Sequence, residues 1–281
     1  MAENQKRAIL CPNCRKLVSA DEVRCPYCGQ AGPGAVWRNN PLMRGFQSSD
    51  QFVKVIIWAN VGMFFISILF NLRQLQITLN PLSFLSPHSD ILILLGATGT
   101  IPIDQLHRWW TLITANYLHG GLLHILFNMM AVRQLAPFII REFGMHRMFI
   151  IYTLGGGIGF LISYMARVRL TIGASAALCA LIGAALYYGK SRGGAYGQAV
   201  YRQVSGWVVG LFFFGLLVPG INNWGHGGGI VGGIALAYFF GYNEKRKETI
   251  GHKYLAVLLG VMTAATLAWA VVSGVYFRFA I

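Results

Sequence analysis

His226-Gly227-Gly228-Gly229-Ile230-Val231-Gly232-Gly233 is poor helix material in water, where each glycine costs about 1 kcal/mol relative to alanine. In a bilayer the same run is useful, because small residues let two helices touch backbone to backbone. What surrounds the run favours the bilayer. Of 281 residues, 55% are hydrophobic and 11% charged, against about 25% charged in soluble domains, and the mean hydropathy is +0.53. Apolar stretches long enough to approach or cross a membrane run at 53–71, 121–140, 148–166, 173–189, 203–221, 226–242 and 254–277. The expectation is an all-α polytopic membrane protein with seven spans.

The formal net charge of +14 would suit a nucleic-acid partner, but its distribution has another explanation. With the N-terminus inside, Lys6, Arg7, Arg15, Lys16, Arg24, Arg38 and Arg44 fall on the same side as Arg141, Arg147, Lys190, Arg192, Arg202, Lys245, Arg246, Lys247 and Lys253. Arg73, Arg108, Arg167, Arg169 and Arg278 fall on the other. This is the positive-inside bias, so the charge encodes orientation and no nucleic acid is expected. The predicted topology is N-terminus cytoplasmic, C-terminus external, in a bacterial plasma (inner) membrane. No signal peptide is read ahead of the first cysteines, which makes the span at 53–71 its own insertion signal.

Four of the five cysteines form Cys11-Pro12-Asn13-Cys14 and Cys25-Pro26-Tyr27-Cys28. Two such pairs separated by ten residues suit a tetrahedral Zn(Cys)4 site. A redox pair or disulfides are the alternatives, and a reducing cytosol disfavours them. The predicted organisation is a zinc-ribbon-like segment at 1–32, a linker at 33–52 rich in glycine, proline, serine and asparagine, and a membrane domain at 53–281. The ribbon is read as structural or as a module for a protein partner. Between the first two spans, residues 72–118 are apolar for a loop, with Pro81-Leu82-Ser83-Phe84-Leu85-Ser86-Pro87, Ile91-Leu92-Ile93-Leu94-Leu95 and Trp109-Trp110. Pieces of this kind suit the membrane interface, or a loop folded on the external face.

Three polar constellations recur inside the apolar spans: His124-Ile125-Leu126-Phe127-Asn128, Gly173-Ala174-Ser175 and His226 with its glycines. Polar and ionisable groups are expensive in a membrane and mark functional sites by default. The second, fourth and sixth spans all run from outside to inside, so the four side chains share the external level, at most about 10 Å deep at 1.5 Å per residue. His124 and Asn128 are four apart on one helix face. Singly, either would pass for interhelical glue, and Ser175 for a helix cap. Together, an alcohol, an imidazole and carboxamide-type donors are the parts for acyl transfer.

These stretches resemble the rhomboid intramembrane serine proteases. The resemblance rests on His119-Gly-Gly-Leu-Leu-His124-Ile-Leu-Phe-Asn128-Met129, Arg141-Glu142-Phe143-Gly144 with Tyr152, Gly173-Ala174-Ser175, and His226 through Gly233. It implies a rhomboid-like six-helix core, with the span at 254–277 as an added C-terminal helix. It further implies Ser175 as nucleophile, His226 as general base, and an oxyanion hole from Asn128, His124 and the Ser175 backbone N–H. No catalytic cofactor is implied, and transmembrane proteins cut within the bilayer would be the substrates. No carboxylate lies at the right level to orient His226, so a Ser–His dyad is expected. Three positions depart from the family pattern: Ala176 for a glycine after the serine, Thr111 for an arginine after the two tryptophans, and Cys179 for an aromatic one turn past Ser175. The competing readings are an inactive relative that binds transmembrane clients, and a transporter, which the lack of internal repeats disfavours.

Overall fold

The computed structural model describes residues 8–11, 16–29, 32–34, 49–72, 84–218 and 220–279. Cys14, linker residues 35–48 and residues 73–83 of the external segment lie outside the described residues. The chain divides into two compact units, Met1–Val55 and Ile56–Ile281.

In the first unit, β1 (Ala8–Leu10) pairs antiparallel with β2 (Leu17–Ser19), in the register Ala8↔Ser19, Ile9↔Val18, Leu10↔Leu17. The Cys11 N–H donates to the Lys16 carbonyl at 2.8 Å and closes the hairpin. Its core is Cys11, Val18 and Cys25, with Ile9 packed against them. Among the described residues of this unit the core is small, below what usually holds so short a segment by itself.

Among the described residues seven long helices follow: α1 (Ser49–Asn71), α2 (Leu122–Phe143), α3 (Met145–Met165), α4 (Ser175–Arg192), α5 (Gly194–Leu217), α6 (Asn223–Phe240) and α7 (Ile250–Phe279). They correspond one to one with the predicted spans. Within these helices, Asp50–Asn71, Leu122–Phe143, Met145–Met165, Gly194–Leu217 and Ile250–Phe277 are long and apolar enough to cross a membrane. α4 and α6 have 18 residues each and carry the small residues of the core. α5 starts at Gly194 instead of 203, because its first turns are polar and a search for apolar runs passes over them.

α4 is the central helix. Every residue from 176 to 185 is buried, which fits a helix that is apolar on all sides. It packs chiefly on α6 and α3. The glycines of α6 form two rows: Gly228 and Gly232 face Ile162 and Ile158 of α3, while Gly229 and Gly233 face the carbonyls of Ala176 and Ala180 on α4. A Cβ on Gly233 would collide with the Ala180 carbonyl. The run that is costly in water thus becomes the surface by which α6 lies against two helices simultaneously.

The described part of the segment before α2, residues 84–118, is a folded layer with most of its apolar side chains turned inward. It contains a short helix Ser89–Leu94, a π-helical turn Ile101–Gln105, a short helix Thr111–Thr114 and a 3-10 turn Ala115–Tyr117. Leu95, Ala97, Ala115 and Leu118 are wholly buried, while Leu106 and Trp109 remain exposed. Thr111, in the position where an arginine is common, is buried; its hydroxyl donates to the Arg108 carbonyl at 2.6 Å and lies 3.0 Å from Thr98 Oγ1, from which it can accept. The arginine anchoring this layer instead precedes the tryptophans: Arg108 Nη1 donates to the Ile93 carbonyl at 3.2 Å.

At the opposite end, Arg147 is one of the charges that set the topology in the sequence reading, yet its side chain is fully buried. Its guanidinium donates to the carbonyls of Phe240 (3.1 Å), Gly241 (2.9 Å) and Arg246 (2.9 Å) and to Asn243 Oδ1 (2.6 Å). These satisfy carbonyls that the end of α6 leaves open and fasten α6 to the start of α3.

Close packing of α6 predicts a specific contrast. Gly233→Ala should lower stability by about 1–3 kcal/mol through overpacking. Gly227→Ala, where a Cβ meets nothing within 4 Å, should be neutral or slightly stabilising. Thermal unfolding of the two variants in detergent, followed by circular dichroism, checks this.

Candidate active site

Ser175 is the first residue of α4, with Ala174 as the preceding cap. The loop leading to it is pinned from the layer that precedes α2. Thr98 and Thr171 exchange backbone hydrogen bonds of 3.1 and 2.7 Å, Thr100 N–H donates to the Val168 carbonyl at 2.9 Å, and Gly173 N–H donates to the Ala115 carbonyl at 2.8 Å. The Ser175 N–H lies ahead of the first α4 bond, from Leu178 N–H to the Ala174 carbonyl at 2.9 Å, so it has no partner within the helix.

His226 lies in the first turn of α6, and its Nε2 is 3.0 Å from Ser175 Oγ. Both residues are half-buried. The sequence alone placed these two groups at one depth; the structure brings them into hydrogen-bond contact. The bond forms with Cys179, also buried, in the position an aromatic commonly occupies. His226 Nδ1 is buried and has no hydrogen-bond partner among the described residues. Among the described residues no third side chain bonds to the ring, and one turn on, Gly229 rests against the Ala176 carbonyl and Cys179 Cβ.

His124 presents a donor to the same space. Gly120 N–H donates to His124 Nδ1 at 3.2 Å, which makes Nδ1 the acceptor and places the proton of the neutral ring on Nε2. The edge of that ring borders Gly173: a Cβ there would lie 2.8 Å from His124 Nε2 and 3.5 Å from Ser175 Oγ. Gly173 also has φ of +121°, a conformation other residues rarely adopt. Glycine therefore both turns the chain into α4 and leaves room between donor and hydroxyl. Asn128 is buried, and its Nδ2 donates to the His124 carbonyl at 2.8 Å. One of its two amide protons is used in that bond and one remains. His119, wholly buried, packs edge-on against the His124 ring with centroids 5.0 Å apart.

Asn222 is a residue that the sequence reading passed over. Its Nδ2 donates to Ser163 Oγ at the end of α3 (2.6 Å) and to Thr171 Oγ1 in the loop before Ser175 (2.9 Å). Its Oδ1 accepts from Gly225 N–H at 3.0 Å, capping α6. One carboxamide thus joins three elements four residues ahead of His226. The available signal was an asparagine directly before a span that carries a histidine in its first turn.

In the N-terminal unit, the Sγ atoms of Cys11, Cys25 and Cys28 lie within 4.8 Å of one another. Those of Cys11 and Cys28 are 3.7 Å apart. A tetrahedral ion with Zn–S bonds of about 2.3 Å needs S···S edges of about 3.8 Å, so the three thiols fit one face of such a site.

The family model for the Rhomboid domain matches residues 106–243, a span that includes His124, Asn128, Ser175 and His226. Over 142 residues the chain is 31% identical to the rhomboid-family protein YdcA of Bacillus subtilis, covering 50% of this chain and 71% of that one. It is 28% identical over 179 residues to the rhomboid protease GluP of Bacillus subtilis, covering 64% of this chain and 35% of GluP. It is 31% identical over 157 residues to the mitochondrial RHOMBOID-like protein 6 of Arabidopsis thaliana, covering 55% of this chain and 51% of that protein. The chain thus spans about a third to a half of the length of the latter two relatives. It belongs to the rhomboid family and is an integral membrane protein. The ribbon, α1 and α7 lie outside the matched domain.

The triple contact of Asn222 predicts that Asn222→Ala lowers unfolding free energy by about 1–3 kcal/mol, since a cap is lost and buried hydroxyls lose their donor. Asn222→Ser, which retains the cap but cannot bridge, should fall between alanine and wild type. Chemical or thermal unfolding in detergent reads both.

Proposed function

We propose that the protein is an intramembrane serine endopeptidase that cuts transmembrane proteins near the external face through a Ser175–His226 dyad. The observation that carries this reading is the 3.0 Å contact of His226 Nε2 with Ser175 Oγ, made inside an apolar bundle where an idle imidazole and hydroxyl would be costly.

Ser175 Oγ attacks the scissile carbonyl as His226 Nε2 takes its proton. The new C–O bond leaves an oxyanion, stabilised by His124 Nε2–H, the second Asn128 amide proton and the Ser175 backbone N–H. The C–N bond breaks as His226 returns the proton to the leaving amine. Water then attacks the acyl-enzyme with His226 again as base, releasing the acid and restoring the hydroxyl. Among the described residues no carboxylate accepts from His226 Nδ1, so the transient imidazolium depends on packing and on water from the external side. Substrate enters laterally past α5, a reading supported by how little of that helix is covered. Only Gly197, Val200 and Val204 are buried, while Phe212, Phe213, Leu216 and Leu217 are exposed.

The N-terminal unit holds a structural zinc through Cys11, Cys14, Cys25 and Cys28, supplying the stability its core lacks; catalysis needs no cofactor. The proposed setting is a bacterial inner membrane with the N-terminus cytoplasmic and the C-terminus external, following the charge bias. A protein partner for the ribbon is part of the same proposal.

Two measurements test this reading. In proteoliposomes containing a panel of single-span fusion proteins, wild type should release products cut near the external end of the span. Ser175→Ala and His226→Ala should lose this activity, and Asn128→Ala should be slower by about 10²–10³; equal cleavage by wild type and Ser175→Ala would refute the proposal. Metal analysis should find about one zinc per chain. Cys11→Ser/Cys25→Ser should abolish zinc binding while proteolysis persists, and undiminished zinc in that variant would exclude the site.

A further inference from the structure

A second cleft lies at the end of the bundle opposite the Ser175 site, between the last turn of α4 and the first turns of α5. Its volume is about 290 Å³, and Gly189, Lys190, Gly193, Gln198, Tyr201 and Arg202 line it. Gly189 forms its floor: a Cβ there would lie 2.7 Å from Tyr201 N and 2.9 Å from the Gly197 carbonyl, so the two helices are in backbone contact beneath the opening. Gly193 and Gly194, with φ of +66° and +64°, turn the chain between them, and a Cβ on either would meet nothing within 4 Å. The entrance therefore stays open.

The side chains around this space are rich in donors. Lys190 and Arg202 are cations, Gln198 and Tyr201 supply an amide and a hydroxyl, and no carboxylate is among them. The nearby carboxylates are engaged elsewhere. Glu142 is held by Arg141 at 2.7 Å and Tyr196 at 3.1 Å, and Glu244 by Arg192 at 3.0 Å. Lys190 Nζ lies 5.7 Å over the Tyr201 ring, an aromatic contact that keeps the ammonium at the rim without neutralising it. Neither Lys190 nor Arg202 has an ion-pair partner among the described residues.

We propose that this cleft binds the phosphate of an anionic glycerophospholipid from the leaflet on its own side of the membrane. A phosphate matches two cations and neutral donors around one space. Lipid is favoured over a soluble phosphate by position. The apolar part of α5 starts at Val204, two residues beyond Arg202, which puts the cations at the boundary where headgroups lie. Tyr201, 39% exposed, is an aromatic of the kind found at that level. Basic pockets between membrane helices on the positively charged side are suited to such headgroups. The site is remote from Ser175 and does not depend on the protease reading.

The test is a lipid titration of the full-length protein in detergent by native mass spectrometry, comparing phosphatidylglycerol with phosphatidylcholine. Wild type should bind phosphatidylglycerol saturably and in preference. Lys190→Gln/Arg202→Gln should weaken it about tenfold or more. Lys190→Arg/Arg202→Lys should retain it, and Lys247→Gln/Lys253→Gln, which removes the same charge elsewhere, should leave it unchanged. Excess glycerol phosphate should not displace the lipid. Unweakened binding in the glutamine variant, equal loss in the Lys247/Lys253 control, or displacement by glycerol phosphate would each overturn the assignment. If the double glutamine variant is not monodisperse, Arg202→Gln alone is read by the same criteria.

Discussion

The site depends on backbone contact between α4 and α6. Ser175 and His226 are 51 residues apart in the chain, and each stands in the first turn of its helix. Their side chains meet only because the two helices approach closely enough for the Gly229 and Gly233 face of α6 to rest on carbonyls of α4. In a bilayer no hydrophobic force drives that approach, since lipid tails are as apolar as leucine. Shape and dispersion must do so, and any side chain on that face would separate the two helices. The polar pair at the start of these helices is thus positioned by the close glycine contacts further along α6.

Packing fixes the spacing, and polar clamps fix the slide. At one end the Arg147 guanidinium gathers carbonyls from the end of α6 and the turn beyond it. At the other, Asn222 ties the start of α6 to Ser163 and Thr171. Glu248 strengthens the inner clamp by accepting from Arg147 N–H and pairing with His146, both at 2.9 Å. A helix held at both ends has little freedom to translate. His226 stands on this helix, and its Nδ1 has no hydrogen-bond partner among the described residues.

The long helices were legible because hydropathy reports the burial of whole spans, and seven apolar runs became seven helices. The level of Ser175, His226, His124 and Asn128 was legible for a related reason: alternating spans leave few arrangements for polar groups near their external ends. What stayed hidden concerns polar residues at helix ends. Arg147 reads as a topology charge in sequence, yet it is buried with its charge matched by carbonyls that no sequence pattern announces. Asn222 went unread in sequence, and its two contacts beyond the cap come from elements 51 and 59 residues away. In the segment before α2 the apolar pieces are too short for sequence to separate membrane-interface segments from a folded loop; the described residues there form short helices and turns with buried side chains. In the ribbon, the cysteine spacing was the signal, and three of the four thiols lie within reach of one ion.

The most direct measurement is mapping the covalent adduct that a fluorophosphonate forms with the folded protein, by peptide mass spectrometry. Ser175 Oγ with His226 as its base should carry the adduct in wild type, and His226→Ala should leave Ser175 unmodified while the protein remains folded. An adduct on a different serine, or on Ser175 at the same rate without His226, would contradict an account in which these two side chains act as one unit.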